Sequence, residues 1–303
     1  MPHDHGHHGH HHLDSDAGDR RVAIAVAVNL VLTFAQIVGG LISGSVALIA
    51  DAVHNFSDAV SLIVAYGARR IARRPATPEM SFGYGRAEVV AALVNYTTLI
   101  IIALWLGFEA VMRLIDPPPV TGWIVVLLAG IALVIDLVTA ALTWRLSKES
   151  VNIRAAFLHN LADAGSSVAV IIGGTLILLY DWRLVDPIIT LLISAYILWH
   201  AASEVGPVIR VLMLAAPDGT RAAAIRARME KVEGVEDVHH LHLWQIDERR
   251  ASVEAHIVVA EGHEAPTVVA DVKRALAGDF GLTHVTLETE TRASGCSSAA
   301  CAA

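Results

Sequence analysis

The stretches "HNFSD" (His54 to Asp58) and "HNLAD" (His159 to Asp163) each set a histidine four residues ahead of an aspartate, inside long apolar runs. On a helix that spacing stacks both side chains on one face, with Cβ atoms about 5–6 Å apart. Two such faces turned toward each other supply two imidazole nitrogens and two carboxylate oxygens around one point. Zinc accepts that tetrahedral set without ligand-field penalty. The metal also explains how the charges survive there, because two carboxylates and one divalent cation sum to zero. Unpaired, each charge would cost several kcal/mol. A single polar residue in an apolar helix often serves packing through hydrogen bonds, and Asn29, Gln36, Asn95 and Asn160 are read that way. Repetition of the pair on two segments is what favours a metal site. Asp51, one turn before His54, and Asp136, within "IALVIDLVTA", are read as proton-carrying or outer hydrogen-bonding carboxylates, with a fifth-ligand role as the alternative.

The segments that carry these pairs must cross a bilayer. Of the 303 residues, 54% are hydrophobic, above the roughly 45–50% of soluble domains. Crossing the hydrocarbon core takes roughly 20 apolar residues of helix. Six segments qualify, near 22–42, 46–68, 87–111, 122–144, 155–180 and 184–205. "SGS" leaves room only for a tight turn between the first two, and the prolines of "DPPPVTG" stop the third. Basic residues set the orientation. Arg20 and Arg21 precede the first span, Arg69, Arg70, Arg73, Arg74 and Arg86 flank the second-to-third connection, and Arg145, Lys148 and Arg154 flank the fourth-to-fifth. The opposite side carries only Arg113 and Arg183 nearby. A multi-pass protein of the inner (plasma) membrane with both termini in the cytoplasm is expected. The first twenty residues are polar and His-rich, with no basic region leading into a short apolar one, so the first span is expected to be retained as a helix.

Past about residue 206 the pattern becomes that of a soluble domain. "PDGTRAAAIRARMEKVEGV" predicts a helix with Asp218 as N-cap and Gly234 at its end. "VEDVHHLHLWQI" and "ASVEAHIVVA" alternate as strands, "APTVVADVKRALAGDF" is an amphipathic helix, and "HVTLETE" a third strand. The fold class is therefore an α-helical membrane protein with six transmembrane helices plus a C-terminal cytosolic α/β domain. Its parts are a His-rich tail (1–20), a transmembrane domain (21–206), the cytosolic domain (207–292) and a Cys-containing tail (293–303). The net charge of −8 argues against nucleic acid, which demands a basic face. Cys296 and Cys301 both lie in the tail, so no disulfide framework organises the fold. No GxxxxGK[ST] is present to bind ATP, and no HExxH to make an intramembrane metalloprotease, so an enzyme is not expected.

"SGSVALIADAVHNFSDAVSL", "FGYGRAEVVAALVN", "NIRAAFLHNLADAGSSVAVIIGG", "DPIITLLISAYIL" and "HHLHLWQI" together resemble the cation diffusion facilitators, especially their zinc-exporting branch, over about residues 20–292. The resemblance implies a transport site on the second and fifth spans at His54, Asp58, His159 and Asp163, and His rather than Asp at position 54 implies zinc over cadmium. Asp136 departs from the Asn of many relatives. The resemblance further implies a ferredoxin-like cytosolic domain that forms a homodimer and binds regulatory zinc. By motif position its ligands are His240, His256 and Glu288, with Glu290 in reserve. Cys296 and Cys301 match the cysteine pair of some relatives only loosely.

Protons compete with metal for imidazole and carboxylate, and an unperturbed histidine titrates near pH 6.5. Proton-for-zinc exchange out of the cytoplasm follows, the bundle alternating around a midplane site. The His-rich N-terminus can capture zinc weakly and hand it on. The expected partners are divalent metal ions, protons, the lipid bilayer and a second copy of the chain. The alternatives are transport of another divalent metal (cadmium, cobalt, nickel, iron(II) or manganese) and a membrane zinc sensor without transport.

Overall fold

The computed structural model describes residues 15–144 and 151–292. The His-rich tract, Arg145, Lys148, Cys296 and Cys301 lie outside the described residues, as do the side chains of Asp58 and His159. Six long helices come first: α1 (Ser15–Ser43), α2 (Val46–Ala72), α3 (Arg86–Ile115), α4 (Gly122–Trp144), α5 (Val151–Tyr180) and α6 (Val185–Leu212). Among the described residues, α2 to α6 are each long and apolar enough to cross a membrane. The described apolar part of α1 is Asn29–Ser43. Their outward side chains are apolar too: Phe34, Ile101, Phe108, Leu192 and Trp199 are all exposed, as lipid rather than water requires. α6 runs past the expected end of its span near residue 205, to Leu212, with Pro207 inside it.

Residues up to Leu62 together with Thr98–His200 form one compact unit, and Ile63–Thr97 with the residues from Ala201 onward form a second. In the first, α1 and α2 meet at Gly44 (φ 77°), where a Cβ would come within 2.8 Å of the Pro119 carbonyl. Only glycine takes that conformation without strain. α4 packs along α5 through small residues, since a Cβ on Gly122 would lie 2.6 Å from the Gly174 carbonyl oxygen. Close backbone approach of this kind is how membrane helices gain packing contacts when lipid tails remove the hydrophobic drive. Asp186, at the start of α6, accepts hydrogen bonds from Ser45 Oγ and from Val46 N (2.9 Å), and so caps α2 from a neighbouring helix. Arg113 of α3 donates to the Gly44 carbonyl (2.6 Å).

In the second unit the remaining elements are α7 (Ala222–Met229), β1 (Val235–Gln245), β2 (Ala251–Val259), α8 (Ala265–Phe280) and β3 (His284–Glu290). β1 and β2 pair antiparallel, while β2 and β3 pair parallel across α8, giving sheet order β1-β2-β3. Ile225 and Met229 of α7 and Val268, Val272 and Leu276 of α8 close the core over Val238, Val253 and Ile257. α7 is shorter than the sequence predicts. "PDGT" folds as a turn, with Thr220 N bonding the Pro217 carbonyl (3.1 Å) and Gly219 at φ 78°. That type II geometry takes Asp218 out of the capping position. The helix then begins after Arg221 and stops at Met229.

Candidate metal centres

Among the described side chains, α2 buries Asp51 and His54, and α5 buries Asp163. His54 of α2 and Asp163 of α5 meet, with His54 Nε2 3.3 Å from Asp163 Oδ1 and both side chains less than a tenth exposed. Asp58 lies one helical turn beyond His54 on α2, and His159 one turn before Asp163 on α5. One residue of each predicted pair is thus brought to its counterpart. Around them sits a polar collar. Asp51 is 1% exposed and accepts hydrogen bonds from Gln36 Nε2 of α1 (2.9 Å) and from Ser166 Oγ of α5. Ser166 Oγ also lies 3.1 Å from the Asp163 carbonyl. The Tyr196 ring of α6 stands edge-on to His54 at 6.1 Å, and the His200 ring lies 6.3 Å from Tyr196. Asp136 of α4 accepts from Ser167 Oγ (3.3 Å). The Gln36 and Asp136 contacts are the hydrogen bonds expected of polar groups inside spans. Tyr196 and Ser166 had no signal, each sitting in an ordinary apolar or small-residue run.

A second cluster lies on the three-stranded sheet of the second unit. His239, His256 and Glu290 each offer a ligand atom, all within 4.8 Å of one another. Glu290 is 7% exposed and bridges the two imidazoles. Its Oε1 is 2.8 Å from His256 Nδ1, and its Oε2 3.3 Å from His239 Nε2. Of the residues taken from motif position, His256 is central to this group. Glu288 Oε2 reaches His256 Nε2 at 3.4 Å, and the His240 ring lies 4.8 Å from the His256 ring. His239 is the residue that motif position passes over. Register explains why: His239 pairs with His256 and His242 with Glu254, so β1 carries one extra residue between them. His240 takes up the bulge at φ 48°. Bulges re-aim side chains, and this one sets His239 directly across from His256, which in turn pairs with Glu288 on β3. The donor set fits a borderline-soft divalent ion. A tetrahedral zinc holds its ligand atoms about 3.3 Å apart, so small side-chain rotations would close the group.

Comparison with known proteins places both regions. Residues 22–213 match the cation efflux transmembrane domain and 217–292 the cytoplasmic domain of cation efflux proteins. The chain belongs to the cation efflux, or cation diffusion facilitator, family, and it is a cation efflux transporter of that family. It is 31% identical over 291 residues to the "Cadmium, cobalt and zinc/H(+)-K(+) antiporter" of Bacillus velezensis, covering 94% of this chain and 93% of that one. To the "Zinc transporter ZitB" of Escherichia coli it is 32% identical over 292 residues, covering 96% and 93%. A solved structure, the metal-bound C-terminal domain of the CzcD transporter from Cupriavidus metallidurans, aligns with 23% of this chain and 99% of its own at 29% identity and a TM-score of 0.23.

Proposed function

We propose that the protein exports Zn²⁺ from the cytoplasm in exchange for protons, with His54, Asp58, His159 and Asp163 holding the ion in the membrane. The observation that carries this reading is the contact of His54 with Asp163 between α2 and α5. One imidazole and one carboxylate from different helices, buried together in an apolar bundle, supply half of a tetrahedral site at the point where the repeated motif puts the other half. Metal binding requires neutral histidine and ionised aspartate, so each zinc released leaves groups that take up protons. The antiporter named among the relatives supports the coupling. Both termini in the cytoplasm of the inner membrane, and a homodimer joined through the cytosolic domain, complete the reading.

His239, His256 and Glu290, with Glu288 and His240 beside them, form a cytosolic zinc site in this proposal. Bound zinc there would supply a positive charge that cross-links β1, β2 and β3. Glu290 already places an oxygen toward each imidazole.

Proteoliposomes loaded with a pH-sensitive dye and given a zinc gradient test the transport site. Wild type should move protons against zinc, and His54→Ala and Asp163→Ala should abolish that flux while eluting as folded protein. Full flux from both variants would remove the site assignment, and zinc binding without flux in the wild type would favour a sensor. A second reading, transport of another divalent ion, rests on the cadmium and cobalt in the name of the Bacillus relative. Competition between metals in the same vesicles decides it.

A further inference from the structure

The loop Ser81–Gly85 between α2 and α3 lines two cavities of opposite character, both wholly within the second unit. One, of about 640 Å³, is lined by five guanidiniums: Arg69, Arg73 and Arg74 from the end of α2, and Arg249 and Arg250 from the β1–β2 turn. Its carboxylates are Glu88, Asp247 and Glu248. Two of these are engaged, Asp247 by Arg250 at 2.7 Å and Glu88 by Arg249 at 3.9 Å. Among the described residues, no carboxylate pairs with Arg69, Arg73 or Arg74. The cavity therefore presents three uncompensated guanidiniums against one remaining acid. The other cavity, of about 950 Å³, shares that loop and is lined by apolar groups including Val64, Ile71, Val90, Leu214 and Trp244. A cationic chamber beside an apolar one, at the ends of membrane-crossing helices, matches one kind of occupant.

We propose that this pair of cavities binds an anionic phospholipid, with its phosphate on Arg69, Arg73 and Arg74 and an acyl chain in the apolar chamber. Guanidinium forks meet phosphate oxygens in bidentate pairs that an ammonium cannot reproduce. Basic pockets at the cytoplasmic ends of spans attract anionic headgroups through the leaflet's surface charge. A free phosphate would use only the first chamber, and a zwitterionic lipid would gain nothing from three unpaired arginines. This site stands apart from the metal centres and does not depend on which ion is carried.

Trp244 provides the readout, because it lines the apolar chamber. The full-length protein is placed in phosphatidylcholine nanodiscs containing a minority of phosphatidylglycerol brominated in its acyl chains. Quenching that is present in wild type and absent from Trp244→Phe reports a chain beside Trp244. The expected result is quenching by brominated phosphatidylglycerol that exceeds quenching by brominated phosphatidylcholine at equal content. In Arg73→Gln/Arg74→Gln, half-quenching should need roughly thirtyfold more anionic lipid. Equal quenching by both lipids, or an unchanged double variant, would overturn the proposal by reducing the chamber to ordinary lipid contact. Displacement by millimolar inorganic phosphate alone would reassign it to a free anion. No Trp244 quenching by either lipid would mean that protein, such as a second copy of the chain, fills it.

Discussion

Replacing Asp51 separates its bracing role from any role as a ligand. The carboxylate ties α1 to α5 by accepting from Gln36 Nε2 and Ser166 Oγ. In Asp51→Asn the amide oxygen still accepts from Gln36, and the amide nitrogen donates to Ser166 Oγ. The serine hydroxyl is then free to donate to the Asp163 carbonyl, 3.1 Å away. Gln36 Nε2 and Ser166 Oγ each keep a partner, so the fold should be nearly unaffected. In Asp51→Leu, Ser166 still has the Asp163 carbonyl, but Gln36, which is fully buried, loses its acceptor. An orphaned buried donor costs about 1–3 kcal/mol, and hydrogen bonds within membranes average nearer 0.6 kcal/mol. A loss of about 1–2 kcal/mol is therefore expected for the leucine variant relative to the asparagine variant. Gln36→Leu/Asp51→Leu should recover most of it, because removing both partners restores satisfaction. Thermal unfolding of the purified protein in one detergent gives all four stabilities. Zinc-driven proton flux measured alongside shows whether Asp51→Asn transports. A leucine variant as stable as the asparagine one, or a double variant no better than Asp51→Leu, would refute the bracing argument. A stable Asp51→Asn that cannot transport would show that the carboxylate acts through its charge.

Three other outcomes follow from particular contacts. Glu290→Gln should weaken zinc binding at the cytosolic cluster by at least tenfold, since it removes the anionic bridge between His239 and His256, while flux through the membrane site continues; chelator competition against full-length protein measures it. Asp247 is buried, which opposes its charge, but the amides of Arg249 and Arg250 and the Arg250 guanidinium outweigh burial and hold its carboxyl below the usual carboxylate range. Its stabilisation is thus complete above about pH 4, its unfolded value, and fades as pH falls through the lower folded value. Melting temperatures taken between pH 6 and pH 3 should fall less steeply for Asp247→Asn than for wild type. Gly122→Ala should destabilise the α4–α5 packing by about 1–3 kcal/mol, because its Cβ would strike the Gly174 carbonyl, a backbone atom that cannot rotate away; thermal unfolding checks it.

The parts of this molecule that were legible in the sequence are those governed by local rules. Span length is fixed by bilayer thickness, so α2 to α5 fall close to their apolar runs, and the alternation in "ASVEAHIVVA" gives β2 directly. The contact of His54 with Asp163 was foreshadowed because lipid tolerates a histidine and an aspartate four apart only where something balances their polarity. What stayed hidden depends on contacts between distant segments. Strict alternation along "HHLH" places His239 and His240 on opposite faces, and the extra residue that overrides it, with His240 held at φ 48°, is set by pairing with β2. Tyr196 reaches His54 through the packing of α6, which no spacing encodes. Asp218 does not cap α7 because Gly219 makes a turn more favourable there.

The clasp at the start of α2 has a mechanical consequence. Asp186 and Arg113 fasten the backbone at Gly44 to Val46, so that end of the helix is a fulcrum. At 1.5 Å per residue, His54 lies about 12 Å along the rod and Ala72 about 39 Å. Any tilt of α2 about its pinned end would therefore carry its far tip roughly three times as far as His54. Leverage of that kind lets the end of a rod swing wide while a side chain near its pivot barely shifts.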